Sequence, residues 1–143
     1  MVILLTAIAY DFPAKGPADS LHDGYYTAEE AEYHDGWKEY LTIYVNNGMI
    51  VTVDFDGRNS SGFVKTWDMD YMRMMNKKTG TYPNKYARAY TSELVAKQSA
   101  EGIDAVSGAT ESYRSFKQLA DAAILQAKTR DEKVAFVDVN REE

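Results

Sequence analysis

Leu41-Thr-Ile43-Tyr-Val45-Asn46-Asn47-Gly48-Met49-Ile-Val51-Thr-Val53-Asp-Phe55 is the stretch that decides the fold. Leu41, Ile43 and Val45 recur at every second position, and Met49, Val51, Val53 and Phe55 do the same after the break. A period of two is that of a strand with one face buried. Asn46-Asn47-Gly48 stands between the two runs. The central residues of a two-residue hairpin need positive φ, which Asn-Gly supplies. The stretch therefore predicts a hairpin with Leu41, Ile43, Val45, Met49, Val51, Val53 and Phe55 in one core-facing layer.

On the N-terminal side, Asp23-Gly24-Tyr25-Tyr26-Thr27 reads as a first strand, opened by a chain-breaking glycine and continued by β-favouring residues. With the hairpin it makes a small antiparallel meander. Glu29, Glu30 and Glu32 then form an acidic segment up to a turn at His34-Asp35-Gly36. His22 and His34 are the only histidines, and neither has partners at metal-ligand spacing. No metal site is expected. Further upstream, Val2 to Ala9 are too short to span a bilayer and lack a basic leader. They read either as the remnant of an export signal or as an arm on the domain, and Asp11 to Ser20 read as a linker. The division is residues 1–20 as arm or export remnant plus linker, and 21–143 as a single domain.

On the C-terminal side, Gly57 to Gly62 is a loop. In Lys65 to Met75, Trp67, Tyr71, Met74 and Met75 share one helical face, with Asp68 and Asp70 favouring the first turn. That face either belongs to the core, with methionine as adaptable filler, or borders a ligand. Pro83 stands near the start of a further helix, Asn84 to Lys97, whose period runs through Tyr86, Ala89, Tyr90 and Leu94; Lys97-Gln98-Ser99 closes it and Gly102 provides the break. Val134 to Val139 reads as a last short strand. The fold class is α+β: a small antiparallel sheet packed against about three helices.

The chain has 143 residues, 45% hydrophobic and 13% aromatic, enough for one packed core. A net charge of −6 argues against nucleic acid as a partner. There is no cysteine, which removes disulfides, thiolate chemistry and any cysteine-borne lipid anchor within these residues.

The chemistry points to Asp104-Ala-Val-Ser107-Gly108-Ala109-Thr110. The residues after it, Tyr113, Phe116, Leu119, Ala120, Ala123, Ile124 and Ala127, fall at helical period. Thr110 or Ser112 is placed to cap that helix. First-turn N–H groups lack internal partners and lie at the positive end of the helix dipole, so they attract anions. Gly108 and Ala109 allow close approach to the backbone. Two readings stand side by side: an ordinary capped helix start, or a phosphate seat with the Ser107 and Thr110 hydroxyls turned toward it. Lys97 lies close before the loop and is a candidate to offset phosphate charge.

Asp104-x-x-Ser107-Gly108-Ala109-Thr110, together with the Asp-Gly-x-Tyr opening, the Asn-Gly hairpin, Thr79-Gly80 at a helix exit and Lys97-Gln98 before the loop, resembles the FMN-binding domain family. That family includes subunits of sodium-pumping NADH:quinone reductase and of the Rnf complex, and flavinylated extracellular electron-transfer lipoproteins. The resemblance implies an FMN-carrying electron-relay domain, with no catalytic acid or base of its own. Its FMN would be joined through a phosphoester to Thr110, installed by a flavin transferase from FAD. Asp104, Ser107, Gly108, Ala109, Ser112 and Lys97 would line the phosphate end, with Trp67 and Tyr71 beside the isoalloxazine. The implied partners are redox proteins or a quinone-linked membrane reductase. The implied location is the outer face of the cytoplasmic membrane or the cell exterior, with no anchor visible in this chain. The alternative is a surface binding or structural module that keeps the fold without flavin. A Ser-His hydrolase finds no nucleophile elbow and no oriented histidine in the sequence.

Overall fold

The computed structural model describes residues 20–142, so the arm or export remnant expected upstream lies outside the described residues. Strands β1 (Gly24–Glu30), β2 (Lys38–Asn46) and β3 (Met49–Arg58) form the expected antiparallel meander. Asn47 and Gly48 both have positive φ, 52° and 73°, as a type I′ turn requires. The turn before β2 is a second tight reversal, with His34 and Trp37 exchanging backbone hydrogen bonds across Asp35 and Gly36. The last strand, β4 (Ala135–Val137), pairs with β1 in parallel, giving the order β3-β2-β1-β4. The sheet is thus mixed: a helix carries the chain back across it before β4 begins, as parallel neighbours require.

The buried layer of the hairpin departs from strict alternation at one place. Val45 pairs with Ile50, whereas Tyr44 pairs with Thr52, so Val51 is an inserted residue with no opposite number. Leu41, Ile43, Val45 and Phe55 are buried as expected, and Met49 and Val53 are half-buried. Ile50 takes the inward place, and Val51 is 47% exposed. A bulge of one residue moves every side chain between it and the turn to the other face.

Helices α1 (Met69–Thr79), α2 (Pro83–Lys97) and α3 (Thr110–Thr129) complete the fold. From α2 come Tyr86, Ala87, Tyr90 and Leu94, and from α3 Phe116, Leu119, Ala120, Ala123 and Ala127, all buried with the inner face of the sheet. The expected Ala89 is exposed and Ala87 takes its place. Tyr113 and Ile124 sit at the edge of the core rather than inside it. Helix α2 ends with Gln98 as its cap, within the Lys97-Gln98-Ser99 close that the sequence predicts, and Gly102 lies in the loop beyond. Gln98 adopts a left-handed φ of 59°, and its side-chain amide accepts from the Ile50 N–H at 2.8 Å and donates to the Ile50 carbonyl at 2.9 Å. Those bonds, with one to the Val95 carbonyl, offset a conformation that glycine would adopt without cost.

Helix α1 does not supply a core face. It follows a 3-10 turn (Lys65–Trp67), and the Asp68 carboxylate caps it by accepting from the Tyr71 N–H at 2.9 Å. No residue of α1 is buried. Trp67 is 71% and Met74 59% exposed, while Tyr71 and Met75 are half-buried. The apolar stripe exists, but the sheet and the other helices leave its outer part uncovered.

Candidate functional site

The loop between α2 and α3 is held from beneath by two tyrosines. The Tyr90 hydroxyl accepts from the Val106 N–H at 2.9 Å and donates to the Ala109 carbonyl at 3.3 Å. One side chain of α2 thereby ties both ends of the segment that carries Ser107 and Gly108. The Tyr113 hydroxyl donates to the Ile103 carbonyl at 2.6 Å. Tyr90 stacks on Phe116 at 5.1 Å and lies 5.8 Å from Tyr113, so the loop rests on an aromatic bed continuous with the core. Burial raises the Tyr90 hydroxyl's pKa above the usual tyrosine value, which keeps it a donor.

Gly108 closes the loop. Its φ is +86°, and a Cβ there would lie 2.7 Å from the Thr79 carbonyl oxygen and 2.8 Å from the Thr79 Cβ. Only glycine fits. The Thr79-Gly80 exit of α1 and the Ser107–Thr110 loop, far apart in sequence, are packed against each other at this point.

Neither Thr110 nor Ser112 caps α3. Ala109 occupies the cap position with no side-chain hydrogen bond, and Thr110 is the first helical residue. The bend at Gly108 turns the Ala109 methyl into the core, which leaves both hydroxyls inside the first turn. Thr110, Ser107 and Asp104 are exposed. An uncapped first turn leaves N–H groups for an external acceptor, and a helix of 20 residues places its dipole behind them.

Ser112 points the other way. Its hydroxyl is buried, donates to the Glu39 carboxylate at 2.7 Å and lies 3.2 Å from the Tyr86 hydroxyl. Glu39 in turn accepts from the Lys65 ammonium at 2.8 Å, and all four groups are buried or nearly so. Burial by itself would lower the pKa of Lys65, but the Glu39 carboxylate beside it outweighs that and raises it, so the ammonium stays charged. Burial raises that of Tyr86. Lys65 stands 5.6 Å from the ring centre of Trp37 and 5.9 Å from that of Tyr71. Glu39, Lys65, Trp37 and Tyr71 line a small cavity, about 50 Å³ in volume, that opens beside the first turn of α3. Glu111, Ser112, Glu30 and Arg141 complete its wall, with His34 and Asp35 at its rim.

Of the residues the sequence nominates, the structure gathers Ser107, Gly108, Ala109, Thr110 and Ser112 around one helix start. Tyr71 lines the adjoining cavity. Trp67 lies outside that lining, on the open side of the 3-10 turn. The Lys97 ammonium is engaged with the Gly102 carbonyl at 2.6 Å and the Glu93 carboxylate at 2.9 Å, where it braces the start of the loop. Trp37, Glu39, Lys65 and Tyr86 were not nominated. Among the described residues no group of acidic or histidine side chains is arranged to hold a metal ion.

A family model described as "FMN-binding domain" matches residues 35–125, from the turn before β2 to the body of α3. The chain belongs to the FMN-binding domain family. Its cofactor is FMN. It is 35% identical to the "15 kDa lipoprotein" of Treponema pallidum (strain Nichols), over 82% of this chain and 84% of that protein. A crystal structure of a protein from Clostridium perfringens superposes with a TM-score of 0.80 at 34% identity, covering 84% of this chain and 99% of that one. A solution structure from Clostridium thermocellum gives 0.52 at 26% identity, covering 85% and 98%. The residues present suit this cofactor: an uncapped helix start behind a glycine bend accepts a phosphate, and an exposed hydroxyl stands at its first position.

Proposed function

We propose that this domain carries FMN at the start of α3, joined through a phosphoester to the Thr110 hydroxyl, and relays electrons between redox partners. The observation that carries the reading is the placement of Thr110: exposed, at the first position of an uncapped helix, on a loop that Tyr90 and Gly108 hold fixed. A modifying enzyme can reach that hydroxyl without unfolding the loop. In the attachment step the Thr110 oxygen forms a bond to the flavin-side phosphorus of FAD. The phosphoanhydride bond breaks, AMP leaves, and the hydroxyl proton passes to solvent. The first-turn N–H groups hold the phosphate oxygens, with Ser107 and Asp104 at the loop surface and Lys97 bracing the approach. Tyr71 and Trp67 flank the ring end. Bound FMN supplies the redox chemistry; the protein supplies attachment, orientation and tuning.

The kinship with a Treponema lipoprotein supports an exported, membrane-associated location, at the outer face of the cytoplasmic membrane or outside the cell. No helix of the described residues is long and apolar enough to cross a membrane. A flavin transferase and redox partners, proteins or a quinone-linked reductase, complete the proposal.

Co-expression with a flavin transferase followed by intact-mass measurement tests it. The wild-type protein gains the mass of an FMN phosphoester, Thr110→Ala does not, and Ser107→Ala is modified more slowly. Gain of that mass by Thr110→Ala would place the attachment elsewhere. A wild type that stays unmodified and binds no FMN in the presence of FAD and transferase would favour a non-redox surface module.

A further inference from the structure

Cations gather on the outward side of α1. From Tyr71 to Ser92 the chain carries Arg73, Lys77, Lys78, Lys85 and Arg88 and no acidic residue, in a protein whose net charge is −6. Within α1, Tyr71, Met72, Met75 and Thr79 are half-buried, whereas Met69, Arg73, Met74, Lys77 and Lys78 are exposed. Residues three and four apart are neighbours on a helix surface. Met69-Arg73-Lys77 and Met74-Lys78 therefore form two adjoining rows, each mixing an apolar side chain with cations. Trp67 stands at their margin, just ahead of the helix, and Phe63 is exposed shortly before it. Arg73 meets Asp70 at 3.4 Å with both side chains largely in water, a pairing that contributes little. Among the described residues no carboxylate pairs with Lys77 or Lys78.

This mixture selects the chemistry of a partner. Unpaired cations favour an acidic surface. Tryptophan, phenylalanine and methionine beside them favour one that also takes in apolar side chains just beneath its charge. The headgroup region of an anionic bilayer offers both. Other exposed aromatics lack this setting: Phe136 lies across from Glu29 on the outer face of the sheet, and Tyr25 is stacked on Tyr44. The net charge of −6 does not forbid the contact. Exposed charges more than a Debye length from the bilayer, about 8 Å at physiological salt, are largely screened, while cations touching it are not.

We propose that the outward side of α1 is a membrane seat, with Arg73, Lys77 and Lys78 on the phosphates of anionic lipids and Met69, Met74 and the exposed edge of Trp67 at the level of the headgroups. This rests on the proposed membrane-associated location and does not depend on flavin attachment. Thr79, on the inner side of α1, packs against Gly108. A seated domain thus has a single helix between the Ser107–Thr110 loop and the lipid surface.

The test is co-sedimentation of the full chain, before and after flavin attachment, with vesicles of phosphatidylcholine and phosphatidylglycerol, against vesicles of phosphatidylcholine alone. Tryptophan emission of the unmodified protein is read on the same samples. Of the two tryptophans Trp37 is buried, so the change reports Trp67. The wild type is expected to sediment with the anionic vesicles in low salt, to be released by high salt, and to show a blue-shifted emission that lipids brominated on their acyl chains quench. Lys77→Gln combined with Lys78→Gln should weaken binding by roughly tenfold or more, and Lys128→Gln, on α3, should leave it unchanged. Circular dichroism confirms the fold of each variant. Binding with an unshifted emission, or equal losses in the α1 and α3 variants, would overturn the seat in favour of general charge attraction. No binding to anionic vesicles in low salt would also overturn it, and would turn these cations toward an acidic protein surface. In each case the Thr110 attachment stands or falls on its own mass measurement.

Discussion

Helices α1 and α2 are neighbours in sequence and opposites in packing. Helix α2 buries Pro83, Tyr86, Ala87, Tyr90 and Leu94; α1, with four methionines and a tyrosine, buries nothing. Both carry an apolar stripe. Periodicity reports that a face is apolar, whereas what covers it is decided by elements elsewhere in the chain. For α2 the cover is the sheet and α3. For α1 it is a tyrosine–tryptophan contact at 5.8 Å at one end and the Gly108 loop at the other, with the cavity between. One helix is part of the folded core. The other borders the proposed cofactor site.

The comparison breaks most easily on the core side. Phe116 is fully buried, stacked on Tyr90 and edge-on to Phe55 at 5.3 Å. Phe116→Ala is expected to cost about 3–5 kcal/mol in urea unfolding; a loss below about 1 kcal/mol would mean the core is elsewhere. Gly108→Val is next. It forces a side chain into Thr79 at positive φ, so it should cost about 1–3 kcal/mol and slow flavin attachment at Thr110 in a mass time course. Unchanged attachment would show that the fit between loop and α1 is not needed. Gly48→Val strains the hairpin turn alone. The expected loss is about 1–2 kcal/mol with attachment untouched, and parental stability would reject the turn type. Smallest is Met74→Ala, on the uncovered face of α1, expected within about 0.5 kcal/mol of the parent. A cost near that of Phe116→Ala would show that this face is covered after all.

Much of this was legible in the sequence because it depends on local rules. The Asn47-Gly48 turn follows from φ alone, α3 from an unbroken period, and the Ser107–Thr110 loop from a motif in the right order. What was not legible depends on contacts between distant residues. The bulge at Val51 leaves no mark in composition, yet it exchanged the roles of Ile50 and Val51. That the left-handed cap of α2 is a glutamine rather than a glycine required knowing that Ile50 offers a matching N–H and carbonyl. Ser112 looked like a cap because its buried acceptor, Glu39, lies 73 positions earlier in the chain. Glu39 did carry a signal. It continues the inward alternation of Leu41, Ile43 and Val45, as Glu30 continues that of Tyr26 and Ala28, and a carboxylate on a core face calls for a buried partner.

The Gln98 amide has a consequence for how copies of this protein meet. Strand β3 is an outer strand of the sheet, and an outer strand offers unpaired N–H and carbonyl groups to any extended chain that comes near. At Ile50 both of these groups are already taken by Gln98, as a neighbouring strand would take them. One residue further on the bulge twists the backbone out of line, Asp54 adds a charge, and near the far end Arg58 is bridged by Val64. The opposite margin, β4, is three residues long. A side chain that ends a helix thus also occupies, at Ile50, the edge groups that an added strand would need.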